Sequence, residues 1–326
     1  MKDVGICGVP YSGKSTLFQA LTRTGSEGGR ANQAVVDVPD PRLAVLAEME
    51  KSRKVVPAKV RFVDVPGGLN AQGIGEYRQM DALCLVLSAF APEADPATEL
   101  ATLSADLLLA DLSSLDAALD KARKKAKGAS EAKAEVTVLE KAYAALETET
   151  PLREADLDEV ALHLLRGFGL LSLKPWIVVA NVAESGSLPV GLPPDALAIS
   201  AALEAEVAGI DPTEAAELLA GFGIKEAGLA RMISACYSAL DLITFLTTGE
   251  DETRAWEVRR GARAPEAAGA IHSDLERGFI RAEVIGYDDL VAAGSWDTAK
   301  AKGLLRVEGK DYVVAEGDVV HIRFAV

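Results

Sequence analysis

Residues 8–16 read Gly-Val-Pro-Tyr-Ser-Gly-Lys-Ser-Thr, with Gly8, Gly13, Lys14 and Ser15 at the spacing G-x-x-x-x-G-K-[ST]. That spacing suits one chemistry, the grip on a chain of phosphates. Glycine omits the Cβ that would keep backbone N–H groups from turning inward around phosphate oxygens. Lys14 is long enough to reach the β- and γ-phosphates, and the Ser15 hydroxyl is a ligand type for Mg²⁺. The candidate contacts are Gly8, Pro10, Tyr11, Ser12, Gly13, Lys14, Ser15 and Thr16. A second cluster, Asp64-Val65-Pro66-Gly67, has the form D-x-x-G. Asp64 can hold Mg²⁺ through water, and the Gly67 amide can sense a γ-phosphate. The metal candidates are therefore Ser15 and Asp64.

A third cluster bears on the base. Guanine readers carry N-K-x-D after a strand, and Asn181-Val182-Ala183-Glu184 stands in that place, with Val for Lys and Glu for Asp. The longer Glu184 side chain would crowd a guanine edge, which moves the expectation from GTP toward ATP. Ile199-Ser200-Ala201-Ala202 resembles the loop that closes over a base. Asn181, Val182, Glu184, Ser200 and Ala201 thus join Gly67 and the phosphate loop as nucleotide-binding candidates.

The elements that must position these residues can be read from apolar runs. Val4-Gly5-Ile6-Cys7 is a short buried strand, and Thr16-Leu17-Phe18-Gln19-Ala20-Leu21 opens a helix whose N-terminus favours anions. Further strands are expected at 35–38, 60–65, 82–87 and 174–180; the run at 82–87 is almost wholly apolar, as a central parallel strand should be. Strands alternating with helices indicate an α/β fold with a doubly wound, mostly parallel sheet.

An insertion interrupts it. Leu108, Leu112, Leu115, Leu119, Ala122 and Ala126 recur at alternating gaps of four and three, a coiled-coil seam. Gly128-Ala129-Ser130 breaks the pattern, and Val136, Leu139, Tyr143 and Leu146 resume it. The spacing predicts an antiparallel helical hairpin whose first arm is about 45 Å long. Its tip, residues 121–127, carries five Lys or Arg. Two readings stay open: cations complementing the helix's carboxyl end, or a contact for RNA phosphate. Residues 242–326 then carry short β-like runs at 279–285, 304–307, 311–314 and 319–324 with turn signals between them, a small α+β domain. The expected division is 1–97 with 168–241 for the nucleotide-binding domain, 98–167 for the hairpin, and 242–326 for the last domain.

Composition narrows the function classes. A net charge of −15 argues against a broad nucleic-acid-binding face and against DNA. No apolar stretch is long enough for a spanning helix, and the N-terminus lacks a signal-peptide layout, so a cytoplasmic protein without a membrane role is expected. Cys7, Cys84 and Cys236 are far apart in apolar surroundings, and His163, His272 and His321 are scattered. Both sets are expected to be structural. Nothing calls for a dimer.

The order of phosphate loop, Asp-Val-Pro-Gly, Lys174-Pro175-Trp176-Ile177-Val178-Val179-Ala180-Asn181-Val182-Ala183-Glu184 and Ile199-Ser200-Ala201 resembles the YchF subfamily of Obg-like P-loop ATPases. The stretches 248–256, 267–274 and 276–284 resemble that family's ubiquitin-like TGS domain, and the likeness runs almost end to end. It implies an ATP-preferring, Mg²⁺-dependent ATPase with a coiled-coil insertion, a TGS domain and association with the ribosome or ribosomal RNA. Two departures from the family stand in the hydrolytic half. The segment before Val38-Pro39-Asp40-Pro41-Arg42 is shortened and lacks the family's switch threonine, and Phe90-Ala91-Pro92-Glu93-Ala94-Asp95-Pro96 lacks the histidine thought to act in hydrolysis. Slow or partner-dependent hydrolysis is expected. The alternatives are a non-hydrolysing, nucleotide-bound interaction module and a GTP-binding protein.

Overall fold

The computed structural model describes residues 1–24, 32–65, 68–126, 131–184 and 186–325. The chain begins with β1 (Lys2–Cys7), whose last four residues are buried, and α1 (Lys14–Thr24). Next come β2 (Gln33–Asp37), α2 (Pro41–Glu50), β3 (Val55–Val56), β4 (Lys59–Asp64), α3 (Ala71–Tyr77) and β5 (Ala82–Ala89). Two long helices follow, α4 (Pro96–Ala126) and α5 (Glu131–Glu147), and then α6 (Glu159–Arg166) and a single 3-10 turn at Leu171–Leu173. The middle closes with β6 (Trp176–Val182), β7 (Leu197–Ile199), α7 (Ala201–Val207), α8 (Pro212–Gly221) and α9 (Gly228–Ala239). The last stretch holds β8 (Leu242–Thr247), β9 (Thr253–Arg259), α10 (Ala264–Ile271), α11 (Ser273–Arg277), β10 (Phe279–Gly286), α12 (Tyr287–Ala293), α13 (Trp296–Ala301), β11 (Arg306–Glu308) and β12 (Asp318–Phe324).

Two compact units emerge. The larger comprises Lys2–Val36 and Arg61–Met232. Its sheet runs β2-β4-β1-β5-β6-β7, with β1, β5, β6 and β7 pairing parallel. The chain winds outward from β1 to β2 and β4 on one side, then crosses to β5 on the other, so the strand order reverses at β1 and β5. Open α/β sheets bind ligands beside such a reversal, at the carboxyl ends of the strands. The first six residues of β5 are all buried, which accounts for their unbroken apolar run. Each fully buried leucine there contributes roughly 2 kcal/mol of apolar burial. Beneath β1, the Tyr77 hydroxyl donates to the Ile6 carbonyl at 2.9 Å, so the largest fully buried side chain is also satisfied.

The predicted hairpin is α4 and α5. At 31 residues and 1.5 Å each, α4 is about 46 Å long. Leu108, Leu115, Leu119 and Ala122 of α4 pack with Leu139, Ala142 and Leu146 of α5. Arg123 pairs with Glu140 at 2.8 Å and Lys125 with Glu135 at 3.5 Å across the arms, which occupies two of the tip's cations. The break at 128–130 and Lys127 lie outside the described residues. The root of α4 belongs to the sheet: Leu103 and Leu107 pack with Cys7, Leu83, Leu85 and Leu87. Asp111, wholly buried, accepts from the Leu171 and Ser172 amides at 2.9 and 2.7 Å and fixes the helix axially. The hairpin is therefore continuous with the core of the nucleotide unit.

The smaller unit comprises Asp37–Val60 and Ile233–Val326 together with Met1. Its mixed sheet runs β11-β10-β12-β8-β9-β3 over a core that includes Phe245, Ala267, Ala268, Ala282 and Val284. This division differs from the expected one: residues 37–60 and 233–241 fall in the smaller unit, and the hairpin residues 98–167 do not form a unit of their own. Residues 37–60, assigned by sequence to the nucleotide-binding domain, group with the C-terminal residues, because β3 pairs parallel with β9 (Val55 with Thr253, Val56 with Arg254). Residues 311–314 form no strand; only an isolated bridge joins Val313 to Arg263, the Ala264 amide at the start of α10 donates to the Tyr312 carbonyl, and the Val314 amide donates to the Ala262 carbonyl. Among the described residues, no helix is long and apolar enough to cross a membrane.

Candidate nucleotide site

The loop after β1 owes its shape to two glycines. A Cβ at Gly8 would lie 2.3 Å from the Val86 carbonyl oxygen of β5. Gly13 has φ +92°, and a Cβ there would fall 2.0 Å from Asn181 Nδ2. No side chain fits either place. Between them, Ser12 is fully buried, and Tyr11 adopts φ +67° while 94% exposed. A non-glycine residue in the left-handed region is the kind of local strain that binding loops store. The Lys14 ammonium donates to the Gly8 and Val9 carbonyls at 2.7 Å each, which fixes it over the loop and leaves its third proton to point outward. Burial lowers the Lys14 pKa, opposed by the nearby Asp64 and Glu99 carboxylates.

Two cavities flank this loop. On the β6 side a cavity of about 930 Å³ is walled by Pro10, Tyr11, Gly13, Lys14, Ser15 and Thr16, with Asn181, Val182 and Glu184 from the end of β6, and Ser200 and Ala201 from the start of α7. Of the described nucleotide candidates, Gly8 and Ser12 alone do not line it. Gly8 lines the second cavity, and buried Ser12 forms the loop's backbone turn. The Asn181 side chain is committed to the framework: Nδ2 donates to the Ser12 carbonyl and Oδ1 accepts from the Ala201 amide, both at 3.0 Å. It ties the phosphate loop, β6 and α7 together and so fixes the width of the cavity. Ser200 caps α7, accepting from the Leu203 amide, and its side chain is likewise committed to the protein.

On the opposite side a cavity of about 600 Å³ is lined by Gly8, Val9, Pro10, Lys14 and Ser15, with Asp64 and Val65 from the end of β4, Gly68 and Leu69 beyond, and Leu103 and Asp106 of α4. Ser15 and Asp64 share this cavity with Lys14. Burial raises the Asp64 pKa, and the Lys14 ammonium opposes the rise. Gly67 lies outside the described residues, as do Gly28, Gly29, Arg30 and Ala31 of the shortened segment.

These donors fit Mg²⁺. A hydroxyl and a carboxylate supply hard oxygens, and Mg²⁺ in such sites keeps several waters and takes phosphate oxygens for the rest of its octahedron. Among the described residues, no cluster of three or more His, Cys, Asp or Glu forms a protein cage, which this mode of binding does not need.

Sequence reasoning missed wall residues of both cavities and a carboxylate near Lys14. Phe90, just past β5 and 47% exposed, lines the larger cavity. Asp106 lines the smaller one, and Glu99 sits close enough to act on Lys14 while accepting from the Ser88 amide at 3.0 Å. Helical spacing could have placed Glu99, Leu103 and Asp106 on one face of α4, but not said what that face meets. The cysteines are buried as expected, with burial pushing the Cys7 thiol up to about 11.

Known proteins resemble this chain over nearly its whole length. Residues 242–325 match the family model YchF-GTPase_C, described as "Protein of unknown function (DUF933)". The chain is 39% identical to the "Ribosome-binding ATPase YchF" of Haemophilus influenzae over 358 aligned positions, covering 99% of each chain. It is 38% identical to the protein of that name from Bacillus subtilis, again over 99% of both. With "Obg-like ATPase 1" of rice the identity is 32%, over 99% of this chain and 92% of the other. The solved structure described as "Structure of the Schizosaccharomyces pombe YchF GTPase" superposes with a TM-score of 0.91 at 30% identity, covering 99% of this chain and 97% of that one. An alignment of 358 positions against a chain of 326 residues means that at least 32 positions of the Haemophilus alignment have no residue here.

Proposed function

The chain belongs to the YchF family, and from that premise we propose that it is a ribosome-associated, Mg²⁺-dependent ATPase that prefers ATP to GTP and hydrolyses it slowly unless a partner intervenes. The observation that carries the reading is the convergence of Lys14, Ser15 and Asp64 on one cavity beside the phosphate loop. When bound, Mg²⁺ would neutralise phosphate charge from Ser15 and the Asp64 side. Lys14 holds the β- and γ-phosphates, and the amides of the loop and of the N-terminus of α1 cradle them. The base lies in the larger cavity between Tyr11, Phe90 and the Val182–Glu184 edge. Val182 offers no charge, and Glu184 puts a long carboxylate where guanine readers carry Asp, which supports ATP. The ribosome enters through the names of the relatives, and a cytoplasmic, monomeric protein accords with it. The C-terminal unit is the ubiquitin-like TGS domain in this reading.

Slow hydrolysis follows from what the sequence lacks. The switch threonine and the loop histidine of the family are absent, and among the described residues no histidine lines either cavity. Water positioning and charge neutralisation supply most of the rate in phosphoryl transfer. The decisive experiment titrates ATP and GTP with and without Mg²⁺, then follows turnover with and without ribosomes. Tighter Mg·ATP than Mg·GTP binding with ribosome-stimulated turnover is the expected result. Rapid unaided turnover would refute the slow reading, tight binding with no turnover in either condition would favour a non-hydrolysing module, and a preference for GTP would reassign the substrate.

A further inference from the structure

The wall of the smaller cavity includes a carboxylate that the motifs did not anticipate. Glu99, Leu103 and Asp106 of α4 recur at i, i+4 and i+7 and therefore share one helix face. Glu99 bonds the Ser88 amide and acts electrostatically on Lys14, so this face is turned toward the phosphate loop. Leu103 and Asp106, one turn further, line the cavity together with Lys14, Ser15 and Asp64. The helix is held in place: Asp111 is bonded to two backbone amides, and the Arg78 guanidinium donates to the Ala110 carbonyl at 3.0 Å and to Ser114 Oγ at 2.6 Å. Asp106 itself is exposed to solvent at the rim of this cavity and engages no hydrogen-bond or ion-pair partner among the described residues. A carboxylate facing a triphosphate is repelled by it and adds nothing to binding. Its use in such a place is to accept from a water molecule.

We propose that Asp106 is the catalytic residue that orients the attacking water and takes its proton, a role that rests on the hydrolytic reading above. The water oxygen bonds to the γ-phosphorus as the bond from that phosphorus to the β,γ-bridging oxygen breaks, and ADP leaves with the electron pair. One water proton passes to the Asp106 carboxylate and then to solvent, and inorganic phosphate departs.

The test uses the full-length protein with ATP, with turnover measured with and without ribosomes and ATP affinity measured separately. D106N is expected to lower kcat by about 100-fold while ATP affinity stays the same or tightens slightly. Added formate is expected to restore part of the turnover of D106A but none of that of Lys14→Ala, a rescue that a merely structural role would not give. D116N, which removes an exposed carboxylate further along α4 and away from both cavities, should retain most of the rate. If wild type turns over and D106N matches it, or if D116N lowers turnover as far as D106N does, the assignment to Asp106 is overturned while the ATPase reading stands. If wild type binds ATP tightly but never turns over, with or without ribosomes, the hydrolytic reading fails and the assignment fails with it. Circular dichroism and unchanged ATP binding exclude misfolding as the cause of any loss.

Discussion

The two sides of the phosphate loop are built differently. The side toward β6 and α7 is braced: Asn181 bonds the backbone on both flanks, Ser200 caps α7, and Gly13 sits where no Cβ fits. The side toward β4 and α4 is lined by carboxylates, and its Asp106 is bonded to nothing among the described residues. A rigid wall suits recognition of a fixed shape, the base and ribose. Carboxylates able to accept from water suit a wall where bonds must change. The contrast predicts that binding and turnover can be separated by mutation.

The contrast breaks most severely at Gly13. Gly13→Ala must place a Cβ against Asn181 Nδ2 and adopt φ +92°, strain of about 1–3 kcal/mol before the clash is counted. ATP affinity measured by calorimetry is expected to fall by more than about 100-fold. Asn181→Ala comes next. It leaves the Ser12 carbonyl and the Ala201 amide without their partner, each costing about 1–3 kcal/mol where buried, and affinity should drop by about 10- to 100-fold. The double variant sharpens the point. Removing the Asn181 amide removes the atoms that the new Cβ strikes, so Gly13→Ala with Asn181→Ala should cost less than the two singles added together. Strict additivity would mean that the brace and the glycine act independently.

Asp64 tests the other wall. Asp64→Asn keeps the shape and removes the charge that would hold Mg²⁺ through water. ATP affinity in Mg²⁺ is expected to weaken by about tenfold, with no change in the presence of a chelator. An equal loss in both conditions would make Asp64 part of the frame rather than a metal-side group.

How far this site can be read from sequence depends on how local each piece is. The phosphate loop was legible because a single turn, with its glycines, lysine and serine, contains its whole mechanism. Asp64 was legible because it ends a hydrophobic strand. Asn181 lines the cavity beside the phosphate loop, yet its work is a bond to Ser12, 169 positions away, and spacing alone cannot reveal that. Asp106 and Glu99 needed the docking of α4, which is decided by Leu103 and Leu107 entering the sheet's core. The same distance effect hid the domain boundary. The two-residue strand β3 carries no pattern of its own, and only its pairing with β9 draws residues 37–60 to the C-terminal unit. Residues 311–314 alternate like a strand, but their backbone partners are residues 262–264 at the start of α10, and alternation does not tell a ladder from a bridge.

Phe90 offers the smallest and most discriminating change. It stands at the mouth of the braced cavity, nearly half exposed, so a bound base would cover one face of the ring without enclosing it. Partial stacking of that kind is worth about 0.5–1 kcal/mol, and Phe90→Ala should weaken ATP by about two- to fivefold. Because Phe90 does not line the γ-phosphate side, single-turnover hydrolysis of bound ATP should proceed at the wild-type rate. If that rate falls with the affinity, the two walls are coupled through the end of β5, where Phe90 and the Ser88 amide that holds Glu99 lie two residues apart. The separation of gripping from hydrolysis would then hold for the deep part of the site and fail at its rim.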